Sequence, residues 1–165
     1  MKLKRNILFC LILAAVSTSI LVAPSAISQT PEDKSIAIVV HPDTQVAELT
    51  MDEVRDVFMA KQQFWPDKSR IVLLVRAPAA YERAFVLNRI YRMNESEFKR
   101  YWIAKMFRAE IPAGPKVVLS TNMAHQLVTA IPGSITFMLA SDVSEEVRVV
   151  AIDGKLPHEE GYPLK

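Results

Sequence analysis

Short continuous apolar runs alternate with helix-spaced apolar residues along most of the chain. Ser35-Ile36-Ala37-Ile38-Val39-Val40 is a run without polar interruption, stopped by His41-Pro42-Asp43. That pattern belongs to a strand buried on both faces. Thr50-Met51-Asp52-Glu53 is a capping box, and Leu49 and Val54 stand where a hydrophobic staple places them. Val54, Val57 and Phe58 follow at helical spacing, so a helix is predicted over about 51–60. Trp65-Pro66-Asp67 breaks the chain, and Arg70 to Arg76 reads as a second strand closed by Ala77-Pro78. A helix over about 79–91 carries Ala84, Leu87 and Tyr91 on one stripe.

Asn94 with Glu97 caps a third predicted helix that runs to about Phe107. It places Phe98, Tyr101, Trp102 and Met106 on one side, a stripe that suits a core. Pro112, Gly114 and Pro115 mark a loop before a third strand, Lys116 to Leu119. Ser120-Thr121-Asn122 offers caps to a helix with Ala124, Leu127, Val128 and Ile131 at i, i+3, i+4 and i+7. Pro132-Gly133 stops that helix, and Ile135–Leu139 and Val147–Ile152 supply a fourth and a fifth strand. Strands alternating with helices predict an α/β fold, a three-layer sandwich around a mostly parallel sheet of about five strands.

The N-terminus has a different pattern. Lys2, Lys4 and Arg5 precede an apolar stretch from Ile7 to Val22, and the small-residue segment Pro24-Ser25-Ala26-Ile27-Ser28 follows. This is the layout of a secretory signal peptide, with cleavage expected after Ala26 or Ser28. The uninterrupted part, Ile7 to Val16, is shorter than the roughly 20 residues of a spanning helix. The expected organisation is a signal peptide over 1–28 and a single domain over 29–165, located in the periplasm or secreted, with no membrane span after cleavage. The one cysteine, Cys10, lies in the leader. The mature chain is therefore expected to carry no disulfide and no thiolate metal site.

Charge changes the picture once the leader is set aside. The whole chain has 20 Lys and Arg against 18 Asp and Glu. Residues 29–165 carry 17 basic residues against all 18 acids, a net of −1. No basic face for nucleic acid is implied. With half its residues hydrophobic and 23% charged, the chain is globular rather than disordered.

Candidate chemistry is sparse. His41, His125 and His158 have no second ligand at metal-binding spacing, and no Gly-x-Ser-x-Gly or phosphate loop is present. Neither a metal site nor a cofactor is expected, and the chain reads as a non-enzyme. Two strand-to-helix junctions stand out, because strand ends facing helix starts are where open α/β sheets bind ligands. Arg76 at the first could hold an oxyanion in its guanidinium fork. Ser120, Thr121 and Asn122 at the second could add hydroxyls, an amide and free backbone N–H groups. The competing reading pairs Arg76 with an acid such as Glu82, and leaves Ser120-Thr121-Asn122 to cap their own helix.

From Ile36 to about Leu164 the chain resembles the phosphate-type substrate-binding proteins of ABC transporters, in a short single-lobe form. The resemblance rests on Leu49-Thr50-Met51-Asp52-Glu53-Val54 followed by Val57 to Lys61 and Phe64-Trp65, and on the strand Arg70–Arg76. Trp102 and Phe107, Pro132 to Phe137, Val149 to Lys155 and Tyr162-Pro163-Leu164 continue it in order. It implies the fold of one lobe of a type II periplasmic binding protein. It further implies an exported protein that takes a small inorganic anion such as phosphate, as an accessory to uptake through a membrane permease. In such proteins the loop after the arginine runs to serine-glycine-threonine. Here the matching positions are Ala80, Tyr81 and Glu82, which remove a hydroxyl, block close backbone approach and place an acid by the anion. The alternative is a ligand-free interaction module that contacts another envelope protein through exposed aromatics such as Trp65 and Tyr81.

Overall fold

The computed structural model describes residues 34–165, so the expected leader and its cleavage point lie outside the described residues. The main sheet is built from β1 (Ile36–Val40), β3 (Val72–Arg76), β4 (Lys116–Val118), β5 (Ser134–Leu139) and β6 (Arg148–Val149). Its spatial order is β4-β3-β5-β1-β6. A second, two-stranded ladder joins β2 (Glu48–Leu49) to β7 (Ala151–Ile152) in parallel. The helices are α1 (Met51–Phe58), α2 (Tyr81–Val86), α3 (Glu95–Phe107) and α4 (Thr121–Ala130).

Period-2 alternation sorts the strand residues between two cores. Ile36, Ile38 and Val40, with Leu73, Val75, Ile135 and Phe137, face one core with Phe58, Ile90 and Trp102. Ala37 and Val39, with Leu74 and Met138, face the other, closed by Ala124 and Val128 of α4. Both faces of the sheet are therefore covered, which explains why β1 and β5 read as continuous apolar runs.

The mostly parallel expectation holds only for half of the sheet. β3 is parallel to β4 and to β5, but β1 is antiparallel to both β5 and β6. The apolar content of β1 does not encode its direction. The expected strand 147–152 is also split. Val150, fully buried, donates its N–H to Ile38 at 2.9 Å, and the chain then leaves the main sheet for β2. The expected helix over 79–91 begins at Tyr81 and changes to a π turn over Leu87–Tyr91. Arg92 closes that turn in the left-handed region, at φ 53°.

Both capping boxes form. Thr50 and Glu53 cap α1 reciprocally, as do Asn94 and Glu97 at α3. The stripe on α3 buries Phe98 and Trp102, while Tyr101 is half-buried and Met106 is 40% exposed. Trp65 is not an exposed contact residue. It is buried, and its indole Nε1–H donates to the Gly133 carbonyl at 2.9 Å.

Candidate functional site at the sheet edge

β3, β4 and β5 run in one direction, so their C-terminal ends share one edge of the sheet. Arg76 ends β3 opposite Val118 of β4, and the Ala77 N–H donates to the Val118 carbonyl at 2.9 Å. By the alternation of the strand, Arg76 lies on the face of Leu74, the one that α4 covers. Two residues beyond Val118, Ser120 caps the start of α4. The structure thus brings Arg76 and the start of α4 to the same edge.

What each residue does there is specific. Arg76 is only 8% exposed, and its Nε lies 3.4 Å from Oε1 of Glu82, itself 6% exposed. The contact is an ion pair without hydrogen-bond geometry. Arg76 Nε and Nη1 are buried and find no hydrogen-bond partner among the described residues. Ser120 Oγ accepts from the Met123 N–H at 3.1 Å, the ordinary capping bond. Thr121 Oγ1 donates to Oδ2 of Asp142 at 3.4 Å. Asn122 is exposed. Glu82, the acid that the competing reading pairs with Arg76, does face it, and it is buried with it.

The sequence did not single out Arg83, Glu95, Asp142 or Ser144 for this edge. Arg83 donates from Nη1 to the Arg76 carbonyl at 2.7 Å and from Nε and Nη2 to Glu95 at 2.9 and 2.6 Å. Its guanidinium also lies 4.7 Å from the Phe98 ring centre. The Arg83 bond holds the Glu95 carboxyl below its ordinary pKa. Asp142 sits after β5, where its side chain meets Thr121 and its carbonyl meets His125 Nε2 at 2.8 Å. His125 Nδ1 lies 3.3 Å from Ser144 Oγ. Apart from the Arg76 carbonyl, seven residues before Arg83, these partners are 12 to 21 residues apart, beyond helical spacing, so no local signal marked them.

The loop Ala77-Pro78-Ala79-Ala80 carries Ala79 at φ 73°, and Ala80 begins α2 without a side-chain cap. Tyr81 is 47% exposed against Phe85, ring centres 6.2 Å apart. The edge therefore offers two buried cations, Arg76 faced by Glu82 and Arg83 bonded to Glu95, a further carboxylate at Asp142, and no hydroxyl at the start of α2. Among the described residues no group of three or more His, Cys, Asp and Glu could hold a metal.

No protein-family model matches the chain, and no curated protein matches it. Solved structures do. An ABC-type phosphate transport receptor from Vibrio cholerae superposes with a TM-score of 0.64 at 16% identity, over 79% of this chain and 52% of the receptor. PstS from Borrelia burgdorferi gives 0.62 at 11% identity, over 79% and 53%. The phosphate-bound structure of an ABC transporter substrate-binding protein from Clostridium perfringens gives 0.61 at 18%, over 74% and 46%. The fold is that of a periplasmic binding protein. The chain spans about half the length of the binding proteins it matches. No helix among the described residues is long and apolar enough to cross a membrane.

Proposed function

We propose that this is an exported, solute-binding-like protein, a single lobe that takes a small oxyanion such as phosphate weakly, as an accessory to uptake through an ABC permease. The observation that carries the reading is the Arg76–Glu82 pair. A buried guanidinium with unpartnered Nε and Nη1 at the C-terminal edge of the sheet is a ready anion donor. The facing Glu82 carboxylate at 3.4 Å holds the position an anion would take. Solute must compete with a tethered acid, and Asp142 opposes it from the side of Thr121. Ser120, Thr121 and Asn122 form the polar rim of this site.

Calorimetry with inorganic phosphate tests the reading. Weak binding by the wild type, lost in Arg76→Ala and strengthened in Glu82→Gln, is the expected result. Micromolar binding by the wild type would overturn the view that Glu82 blocks the site. Silence in every variant would overturn the site itself.

A second reading, an interaction module for another envelope protein, draws on a different feature. β4 is an edge strand of the main sheet and exposes Val117, and Leu119 just beyond it is 74% exposed. Phe107 at the end of α3 is 87% exposed. Apolar side chains of this size beside an open strand edge suit protein contact. Tyr81 stands apart from Trp65 here, since only Tyr81 is exposed.

A further inference from the structure

We propose that the groove between α1, the π turn and residue 163 is a second anion site, one that binds a compact multivalent phosphate such as tripolyphosphate. The groove has a volume of about 560 Å³ and is lined by Met51, Arg55, Asn88, Arg89, Arg92 and Pro163. Three arginines and no acid make up its charge. No residue of the Arg76 edge lines it.

The three guanidinium groups are placed by different means. Arg55 donates from Nε to the Ile90 carbonyl at 3.1 Å and from Nη1 to Asp52 at 3.1 Å, so its fork is held before any ligand arrives. Asp52 is the one carboxylate paired with the set, and it is 91% exposed. Arg89 reaches only the Pro163 carbonyl, at the long distance of 3.5 Å. Arg92 has no side-chain partner among the described residues and is exposed. The backbone accounts for this convergence. A π turn inserts an extra residue into the helical repeat, a distortion that clusters at functional sites. Arg92 then closes the turn in the left-handed region, which costs energy for a residue with a Cβ. The neighbouring groove makes a useful contrast. It shares Asn88 and Arg92, but there Arg83 is already neutralised by Glu95.

The chemistry selects the ligand. All three cations are arginines, whose planar forks match phosphate oxygens in pairs. The groove is open, and a single exposed ion pair there is screened and weak. A monoanion engages one fork and gains little, whereas a compact polyanion engages several at once. Linked phosphoryl groups are therefore the fitting class.

Titration of the protein with sodium tripolyphosphate at low salt, by calorimetry, is the test. Binding is expected for the wild type, clearly tighter than for monophosphate. The double variant Arg89→Ala/Arg92→Ala should bind roughly tenfold more weakly or worse. The charge-matched control Lys68→Ala/Lys116→Ala, outside the groove, should change binding little. If the alanine pair melts early without ligand, Arg89→Lys/Arg92→Lys carries the test, with binding several-fold weaker than wild type expected and unchanged binding contrary. Absence of tripolyphosphate binding overturns the proposal. So does an equal loss in the lysine control, which would mean diffuse charge, or in Arg76→Ala, which would mean the sheet-edge site. Binding to cardiolipin vesicles without binding to tripolyphosphate would overturn the soluble ligand in favour of a lipid headgroup.

Discussion

Trp65 and Gly133 lie 68 residues apart in sequence and are joined by an indole-to-carbonyl hydrogen bond of 2.9 Å. The same carbonyl accepts from the Val72 N–H at 3.1 Å. Gly133 itself sits at φ 75°, and a Cβ there would strike the Arg70 carbonyl oxygen. One position thus serves the end of α4, the entry to β5 and the seat of Trp65. Gly133→Ala should destabilise by about 2 kcal/mol or more, through left-handed strain and the backbone clash together. Trp65→Phe should cost less, about 1–2 kcal/mol, because the carbonyl keeps its bond from Val72. Urea melts of the two variants check the order. A Gly133→Ala variant as stable as the wild type would contradict it.

Trp102 is 6% exposed and packs edge-on against Phe98 and Tyr101, with ring centres at 6.0 and 5.6 Å. Trp102→Ala should cost about 3–5 kcal/mol, as other buried large aromatics do. Its Nε1 is buried without a partner among the described residues. Trp102→Phe discards that unpaired donor and should be markedly milder than the alanine change. Denaturant midpoints of the two variants give the comparison.

The loop at the start of α2 yields a gain-of-function test. Ala80→Ser, Tyr81→Gly and Glu82→Thr together return a hydroxyl, open the backbone and release Arg76 from its carboxylate. Phosphate should then stabilise the triple variant, by about 2.7 kcal/mol at a hundredfold excess over its dissociation constant. Thermal shifts with and without phosphate measure this, and adding Arg76→Ala should abolish the shift.

The Arg83–Glu95 bond sets a direction for pH dependence. The folded Glu95 pKa lies below the ordinary 4.5. Its contribution is therefore complete above the unfolded value and is lost as pH falls through the lowered folded value. Thermal stability should decline as pH drops from roughly 5 to 3. Glu95→Gln should be less stable at neutral pH and show a shallower decline. Melts across that range decide it, and parallel curves would contradict the assignment.

Export can be checked directly. The protein recovered from the periplasm should have lost its first 26 or 28 residues by intact mass. Its melting temperature should not change with reductant, since Cys10 leaves with the leader. A retained Met1 would contradict both.

Local chemistry made much of this fold readable. The Thr50/Glu53 and Asn94/Glu97 boxes fix the starts of α1 and α3 through contacts three residues apart, which sequence displays. Pro132-Gly133 ends α4 for equally local reasons. The direction of β1 was not readable, because a strand buried on both faces carries no polar mark of up or down. The π turn escaped because its apolar spacing over 87–91 fits an ordinary helix. At the sheet edge, Arg76 and the Ser120 cap were visible as residue types. Their proximity depends on the β3–β4 register, and the burial of Glu82 depends on how α2 seats over β3.

The antiparallel insertion of β1 has a consequence for biogenesis. Ile36 pairs with Leu139, Val40 with Arg148, and the Ile36 backbone is further tied to Leu164 and to the Tyr162 hydroxyl. β1, the earliest of the described strands, thus waits for residues beyond 133 before it finds a neighbour. Such sequence-distant pairing slows folding, and a five-residue apolar strand left unpaired meanwhile is prone to aggregate. A chain of this topology reaches its native state only once its C-terminal third is present to flank β1 on both sides.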